Sequence, residues 1–244
     1  MKLADFRVLT FDCYGTLIDW ESGIFAGLQP LLLKAARDTG EVISRDTALE
    51  VFARHESAQE AETPAMIYAD LLTTVHRRLA QEWNVRMDEA DHAAFGASVP
   101  AWPAFPDSAE ALAYLRQHYQ LVILSNVDRV SFAGSNRRLG ITFDAVLTAE
   151  DVGSYKPDPR NFEFMLMQLA RRGIGKADIL HTAQSLFHDH APAKRFGLVS
   201  AWIDRRHDQQ GWGATLAPPD GAGYEFRFPS MAAMVTAHQA ERAG

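Results

Sequence analysis

Apolar positions follow two rhythms along this chain. Residues 5–11 end in a continuous run, Val8-Leu9-Thr10-Phe11. Such a run predicts a strand buried on both faces, the kind found inside a parallel sheet. Then the period changes. From Trp20 to Arg37, Ile24, Phe25, Leu28, Leu31, Leu32 and Ala35 recur at helical spacing. Residues 44–62, 64–84 and 88–98 continue as helices, with Leu49, Phe52 and Ala53, then Ile67, Leu71, Leu72, Val75 and Leu79 on their apolar faces. Three prolines in Pro100-Ala101-Trp102-Pro103-Ala104-Phe105-Pro106 predict a stiff return from this helical stretch.

Beyond the prolines, helices and strands alternate. Helices are predicted over 107–117, 128–139 (closed by Gly140) and 159–172, and strands over 121–124, 144–148, 178–183 and 198–203. A helix runs from Asp189 to Phe196, with Gly197 behind it as C-cap. Residues 205–223 read as loop, 224–228 as a short strand and 230–241 as a last helix. Strands alternating with helices pair in parallel through right-handed crossovers. The expectation is an α/β protein: a Rossmann-like, doubly wound parallel sheet core (1–17 and 101–244) with an inserted α-helical cap subdomain (18–100).

Composition narrows the function. A net charge of −7 over 244 residues argues against a general nucleic-acid surface. It leaves an anionic small substrate possible. The single cysteine, Cys13, forbids an internal disulfide and fits a reducing cytoplasm. No apolar run reaches the ~18 residues of a membrane span, and the N-terminus does not read as a signal peptide. No Cys/His cluster of metal-binding spacing occurs. The helical stretch and loops offer surfaces for a homodimer.

Polar residues punctuate the strand ends. Asp12 follows the first strand, Ser125 and Asn126 the second, Lys156 lies beyond the third, and Asp189 beyond the fourth. Singly, each has an ordinary explanation: Asp12 caps a turn, Ser125 and Asn126 cap a helix, Lys156 is a solvated loop lysine, Asp189 caps its helix. Jointly they stand at equivalent points of a doubly wound sheet, whose carboxyl strand ends face one crevice. Cys13, beside Asp12, reads as core. His188 and His190 read as packing or capping residues. Trp20, Trp102 and Phe187 are candidates for an apolar wall or for ordinary core.

Four segments, Phe11-Asp12-Cys13-Tyr14-Gly15-Thr16-Leu17, Leu124-Ser125-Asn126, Ser154-Tyr155-Lys156-Pro157 and Gln184-Ser185-Leu186-Phe187-His188-Asp189, resemble the four motifs of the haloacid dehalogenase superfamily. The resemblance spans residues 6–203. It implies a Rossmann-like core with a helical cap, and Asp12 as a nucleophile that forms a covalent intermediate. The superfamily's phosphatases carry a second Asp two residues after the nucleophile and a Gly-Asp pair before the last Asp. Here those positions hold Tyr14 and Ala183-Gln184. A phenol is a poor Mg²⁺ ligand and too weak an acid to protonate an alkoxide at neutral pH. A halide needs no proton to leave.

The chain therefore looks like the L-2-haloacid dehalogenase branch. The implied activity is hydrolysis of short 2-haloacids to 2-hydroxy acids, with inversion and with no metal or other cofactor. Asp12 attacks carbon and Asp189 serves as base for the hydrolytic water. Lys156 keeps both carboxylates ionised. Tyr14, Thr16, Ser125, Asn126, Gln184 and Ser185 are the expected substrate-binding residues. The family's cap arginine is replaced by Thr39; Asn126 and a cap arginine (Arg54, with Arg37 and Arg45 as alternatives) are candidates for the halide, and the preferred halogen is open, fluoride included. The family's Ser and Asn of the fourth motif are Gln184 and Leu186 here. A phosphatase with an altered metal site and a non-catalytic binding protein are the competing readings.

Overall fold

The computed structural model describes residues 1–244. Its centre is a six-stranded, all-parallel sheet: β1 Val8–Phe11, β2 Gln120–Ser125, β3 Ala145–Thr148, β4 Ile179–Ala183, β5 Val199–Ile203 and β6 Phe226–Phe228. The order is β3-β2-β1-β4-β5-β6, so the chain winds outward from β1 in both directions. This is the expected doubly wound α/β core. Every residue of β1 and β4 is buried. Alternate residues enter different layers, as the two-residue period of a strand requires. Leu9, Phe11, Leu121, Ile123 and Leu180 join one apolar cluster; Val8, Val122, Leu124 and Ile179 join the other.

Helices cover both faces. The first layer includes α5 Ser108–Leu115, α6 Arg129–Leu139 and α10 Met231–Ala243, through Leu112, Phe132, Met231 and Met234. On the other side lie α8 Pro159–Ala170 and α9 Ala191–Arg195, through Phe162, Met165 and Ala193. A one-turn helix, α7 Ala149–Val152, precedes α8 and was not legible in the periodicity.

Four helices follow β1: α1 Trp20–Thr39, α2 Arg45–Glu62, α3 Tyr68–Glu82 and α4 Glu89–Gly96. Side-chain caps start α1 and α2, where Asp19 accepts from the Ser22 N–H and Ser44 from the Thr47 N–H. Gly40 closes α1 at φ 75°, a conformation that suits glycine. The third helix starts at Tyr68 rather than 64, because Pro64 belongs to the turn that follows α2. Likewise residues 3–5 form a 3-10 turn, and β1 begins at Val8. The buried side chains of α1–α3 run without a break into the cluster under β1.

Gly23 sets how closely α1 meets the returning chain. A Cβ there would lie 2.3 Å from Trp102 Cγ, and Trp102 in turn packs edge-on against Tyr14, ring centroids 5.8 Å apart. Gly23→Ala is expected to lower stability by about 1–3 kcal/mol through overpacking, despite alanine's better helix propensity. Urea unfolding measures this; an unchanged or raised midpoint would show that Trp102 relaxes freely.

Candidate active site

The carboxyl ends of β1, β2 and β4 converge as the topology dictates. Asp12 follows β1, and its backbone N–H donates to the Thr182 carbonyl of β4. The Lys156 side chain, 1% exposed, reaches in from the loop before α8. Its ammonium donates to Asp12 Oδ1 at 3.0 Å, Asp189 Oδ1 at 2.8 Å and the Leu124 carbonyl at 2.9 Å. All three of its protons are thereby spent, which is how a buried lysine stays charged.

Asp189 sits on an irregular turn. Leu186–His190 are π-helical, and only Ala191–Arg195 continue as α-helix. Asp189 Oδ1 also accepts from His181 Nε2 at 3.0 Å, and His181 Nδ1 in turn bonds the Thr10 hydroxyl at 2.8 Å. Thr10 and His181 are register partners on adjacent strands. Two polar side chains in the middle of otherwise apolar strands are the sequence signal for this relay, and hydrophobic periodicity does not register them.

Burial pushes the Asp12 carboxyl above the ordinary range; Lys156 pulls it back and the Asp189 charge pushes it up again. Burial acts on Asp189 too, but Lys156 and His181 outweigh it and hold its carboxyl well below the ordinary range. Burial lowers Lys156, yet the two carboxylates more than reverse this and raise it. Of the pair, Asp189 is the more firmly ionised.

The other expected site residues divide. The Thr16 hydroxyl donates to Asp12 Oδ2 at 2.7 Å and accepts from the Gln184 N–H at 2.9 Å, so it orients the carboxylate and has no proton left for a ligand. The Tyr14 hydroxyl pairs with Ser135 at 2.8 Å. Asn126 clamps the Lys156 backbone: its Oδ1 accepts from the Lys156 N–H at 2.6 Å and its Nδ2 donates to the Lys156 carbonyl at 2.9 Å. Ser125 Oγ is buried and unpartnered, as is Asp189 Oδ2. Ser185 caps the π turn by accepting from the His188 N–H.

Two residues lie elsewhere. The Gln184 side chain lies against Gly15 and Trp20 and lines the neighbouring hollow with Arg205 and Arg206. Arg54 stands on the outer face of α2, 2.6 Å from Glu82, and is not brought to Asp12. Neither alternative arginine replaces it: Arg37 is beside Asp38, and Arg45 stacks over Phe25.

What the helical segment does contribute was not foreseen. A small cavity of about 30 Å³ is lined by Asp12, Tyr14, Asn126, Lys156 and Asp189 from the sheet side, and by Trp20, Glu56, Glu60 and Tyr68 from α1, α2 and α3. Trp20 is thus a wall residue, whereas Trp102 is packed on Gly23 and Phe187 lines a different groove with Pro64 and Tyr155. No group of three or more His, Cys, Asp or Glu side chains converges as a metal site. No helix is long and apolar enough to cross a membrane.

Known proteins share this architecture. Over 208 residues the chain is 26% identical to the (S)-2-haloacid dehalogenase 4A of Burkholderia cepacia, covering 82% of this chain and 84% of that one. A Pseudomonas putida (S)-2-haloacid dehalogenase is 26% identical over 211 residues, covering 82% and 85%. The L-2-haloacid dehalogenase structure from Xanthobacter autotrophicus superposes with a TM-score of 0.74 at 18% identity, over 96% of this chain and 98% of that one. Residues 6–182 match the family model for haloacid dehalogenase-like hydrolases, which is most of the chain and includes Asp12, Asn126 and Lys156; the protein belongs to that hydrolase family.

Proposed function

We propose that the protein hydrolyses the carbon–halogen bond of short 2-haloalkanoic acids through an aspartyl ester, without a metal ion, giving 2-hydroxy acids with inversion. The observation that carries this is the single ammonium of Lys156, bonded at once to the Asp12 and Asp189 carboxylates. The names of its relatives favour the same activity.

Asp12 attacks the carbon bearing halogen from the side opposite the leaving group, and an ester forms as halide departs. Thr16 holds Asp12 Oδ2, which leaves the attacking geometry well defined. The backbone N–H groups of Cys13, Tyr14 and Asn126 make no hydrogen bond within the chain, and Ser125 Oγ is unpartnered. Together they hold the substrate carboxylate and then the oxyanion of ester hydrolysis. Asp189, through its free Oδ2, takes the proton from the attacking water. Helices α1–α4 serve as the cap over residues 18–100, with Trp20 and Tyr68 as its walls.

The donor set does not suit a divalent ion. Lys156 Nζ lies within hydrogen-bonding distance of both carboxylates, and the Tyr14 hydroxyl is turned to Ser135. A hard cation wants several oxygen ligands, preferably carboxylates, and no ammonium among them.

The test is free halide measured with chloroacetate, L-2-chloropropionate and fluoroacetate in the presence of EDTA. Halide release is expected. Turnover of p-nitrophenyl phosphate that needs Mg²⁺, with no halide released, would instead establish a phosphatase. Asp189→Asn is expected to form the ester normally but hydrolyse it slowly, roughly 10²–10⁴-fold. Mass spectrometry then finds the protein heavier by the substrate less hydrogen halide. Steady turnover without an adduct would remove Asp189 from the role of base.

A further inference from the structure

Glu56 and Glu60 lie one turn apart on α2 and face the cavity that holds Asp12, at 3% and 7% exposure. Neither is within ion-pair distance of a lysine or arginine. The Tyr68 hydroxyl donates to Glu56 at 2.5 Å, and Asn126 Nδ2 donates to Glu60 Oε1 at 3.1 Å. That leaves Glu60 Oε2, which lies 4.0 Å from His188 Nε2. His188 is 8% exposed, lines the same cavity, and its Nε2 has no hydrogen-bond partner. Its Nδ1 is beside the Ser185 hydroxyl at 3.2 Å. With Nδ1 accepting there, the proton resides on Nε2 and points at nothing within the chain.

Charge counting constrains the state of this corner. The cavity holds four carboxyl groups and one ammonium. An anionic substrate cannot enter such a space with all four ionised. Asp12 and Asp189 share Lys156, so the protons belong on the glutamates. Burial drives Glu56 up to about 8, and burial together with the Glu56 charge drives Glu60 well above the ordinary range. Burial drives His188 down to about 4, so it is neutral at pH 7. The corner that lacks an arginine therefore presents an O–H and an N–H. Two donors 4.0 Å apart can both reach one small anion lying to their side.

We propose that Glu60 and His188 form the leaving-group subsite of this cavity, their O–H and N–H converging on the departing halide, and that this pair of neutral donors serves fluoride better than chloride or bromide. This rests on the dehalogenase reading above. Fluoride is the smallest and most strongly hydrogen-bonding halide, so directed donors aid its departure most; a diffuse bromide or chloride gains less. The balance is simple. The Asp12 oxygen forms the carbon–oxygen bond as the carbon–halogen bond breaks, and the halide leaves with the bonding pair. It accepts hydrogen bonds from Glu60 and His188 without consuming a proton. Ester hydrolysis then takes up one water, and one proton is returned to solvent.

The pH dependence has a definite sign. A carboxyl raised by the fold is a donor below its folded pKa and is lost as a donor when pH rises through it. The groups facing Glu60 are Glu56 and Tyr68 from the helical segment, Tyr155, Lys156 and Asp158 from the loop before α8, Arg160 from the start of α8, and His188 beyond β4. Glu60 is itself raised, by burial first and then by Glu56, so fluoride release is expected to fall on the alkaline side as Glu60 loses its proton.

The experiment measures fluoride from fluoroacetate and chloride from chloroacetate across pH, for the native protein, Glu60→Gln and Glu60→Ala. Glu60→Ala is expected to slow fluoride release by roughly 10²-fold and chloride release by less than about tenfold. Glu60→Gln keeps an N–H donor but cannot titrate; it should retain most fluoride release and displace or lose the alkaline fall. Chloride release by each variant reports that it is folded. Equal slowing of both halides in Glu60→Ala, with an unmoved alkaline limb in Glu60→Gln, would overturn the subsite alone. A native protein that releases neither halide would overturn the dehalogenase reading and the subsite with it.

Discussion

Asp12→Asn is expected to abolish halide release, by on the order of 10⁴-fold or more, while the protein melts no lower than the native chain. The two halves have one cause. The amide keeps the shape of the carboxyl group, its oxygen still accepts from Thr16 or Lys156, and the buried cation keeps Asp189 and the Leu124 carbonyl as partners. What vanishes is the charge that attacks carbon. That charge is costly to the fold, because burial and Asp189 raise the Asp12 carboxyl above its ordinary value despite Lys156. A carboxyl raised on folding contributes stability below its unfolded pKa and loses that contribution as pH rises through the folded one. At neutral pH the ionised form is therefore a burden that asparagine lifts, a common exchange of stability for activity. Calorimetry at pH 7 and halide assays on one preparation check both. Halide release near the native rate would remove Asp12 from the role of nucleophile; a clear loss of melting temperature would show that Lys156 stabilises Asp12 more than burial penalises it.

How far the site was legible depended on what each residue's neighbours are. Asp12, at the end of an apolar strand, stood out because nothing but a ligand or a turn explains a carboxylate there. Lys156 and Asp189 were ordinary alone and informative only through their order along an alternating α/β pattern. The tertiary step that unites them, an ammonium reaching across two strand ends, is invisible to periodicity. The fold followed from the same alternation, and the deviations are local. Proline and turn chemistry moved the start of α3, and a π turn at Leu186–His190, in which the His190 N–H reaches back to the Ser185 carbonyl, replaced a helix onset.

The helical segment misled for a stricter reason. Only its arginines were weighed, as candidates for the halide, when the phase of all its charged residues along the helix was the better guide. Leu49, Phe52 and Ala53 mark the inward face of α2, and three or four residues further on that face carries Glu56, then Gln59 and Glu60, all buried. Arg54 is two positions from Glu56, about 200° around the helix at 3.6 residues per turn, and so faces out to Glu82. A stripe that changes from apolar to acidic without leaving its face was the available signal. In the fourth motif, similarly, Thr16 bonds the Gln184 backbone, while the Gln184 side chain turns away toward Gly15.

Lys156→Met is the second large effect, and it separates chemistry from stability by pH. Methionine fills much of the lysine's volume but leaves two buried carboxyls with no cation between them. Removing one partner of a buried ion pair costs roughly 3–5 kcal/mol, and two carboxylates that close cannot both stay ionised. The proton taken up goes first to Asp12, the group already raised by burial, so the nucleophile is lost and halide release falls to background at neutral pH. The destabilisation is itself pH-dependent. In the native chain Asp189 is held below its ordinary value, so its contribution is present above the unfolded pKa and lost as pH falls through the folded one. In the variant both carboxyls are raised, and stability is lost as pH rises instead. The two stability curves should therefore lie furthest apart near pH 7 and converge below about 4, where the carboxyls of the unfolded chain are protonated. Urea unfolding at both pH values gives the comparison. A constant gap would mean that lost packing dominates, whereas a closing gap with no halide released identifies the ammonium as what keeps Asp12 ready to attack.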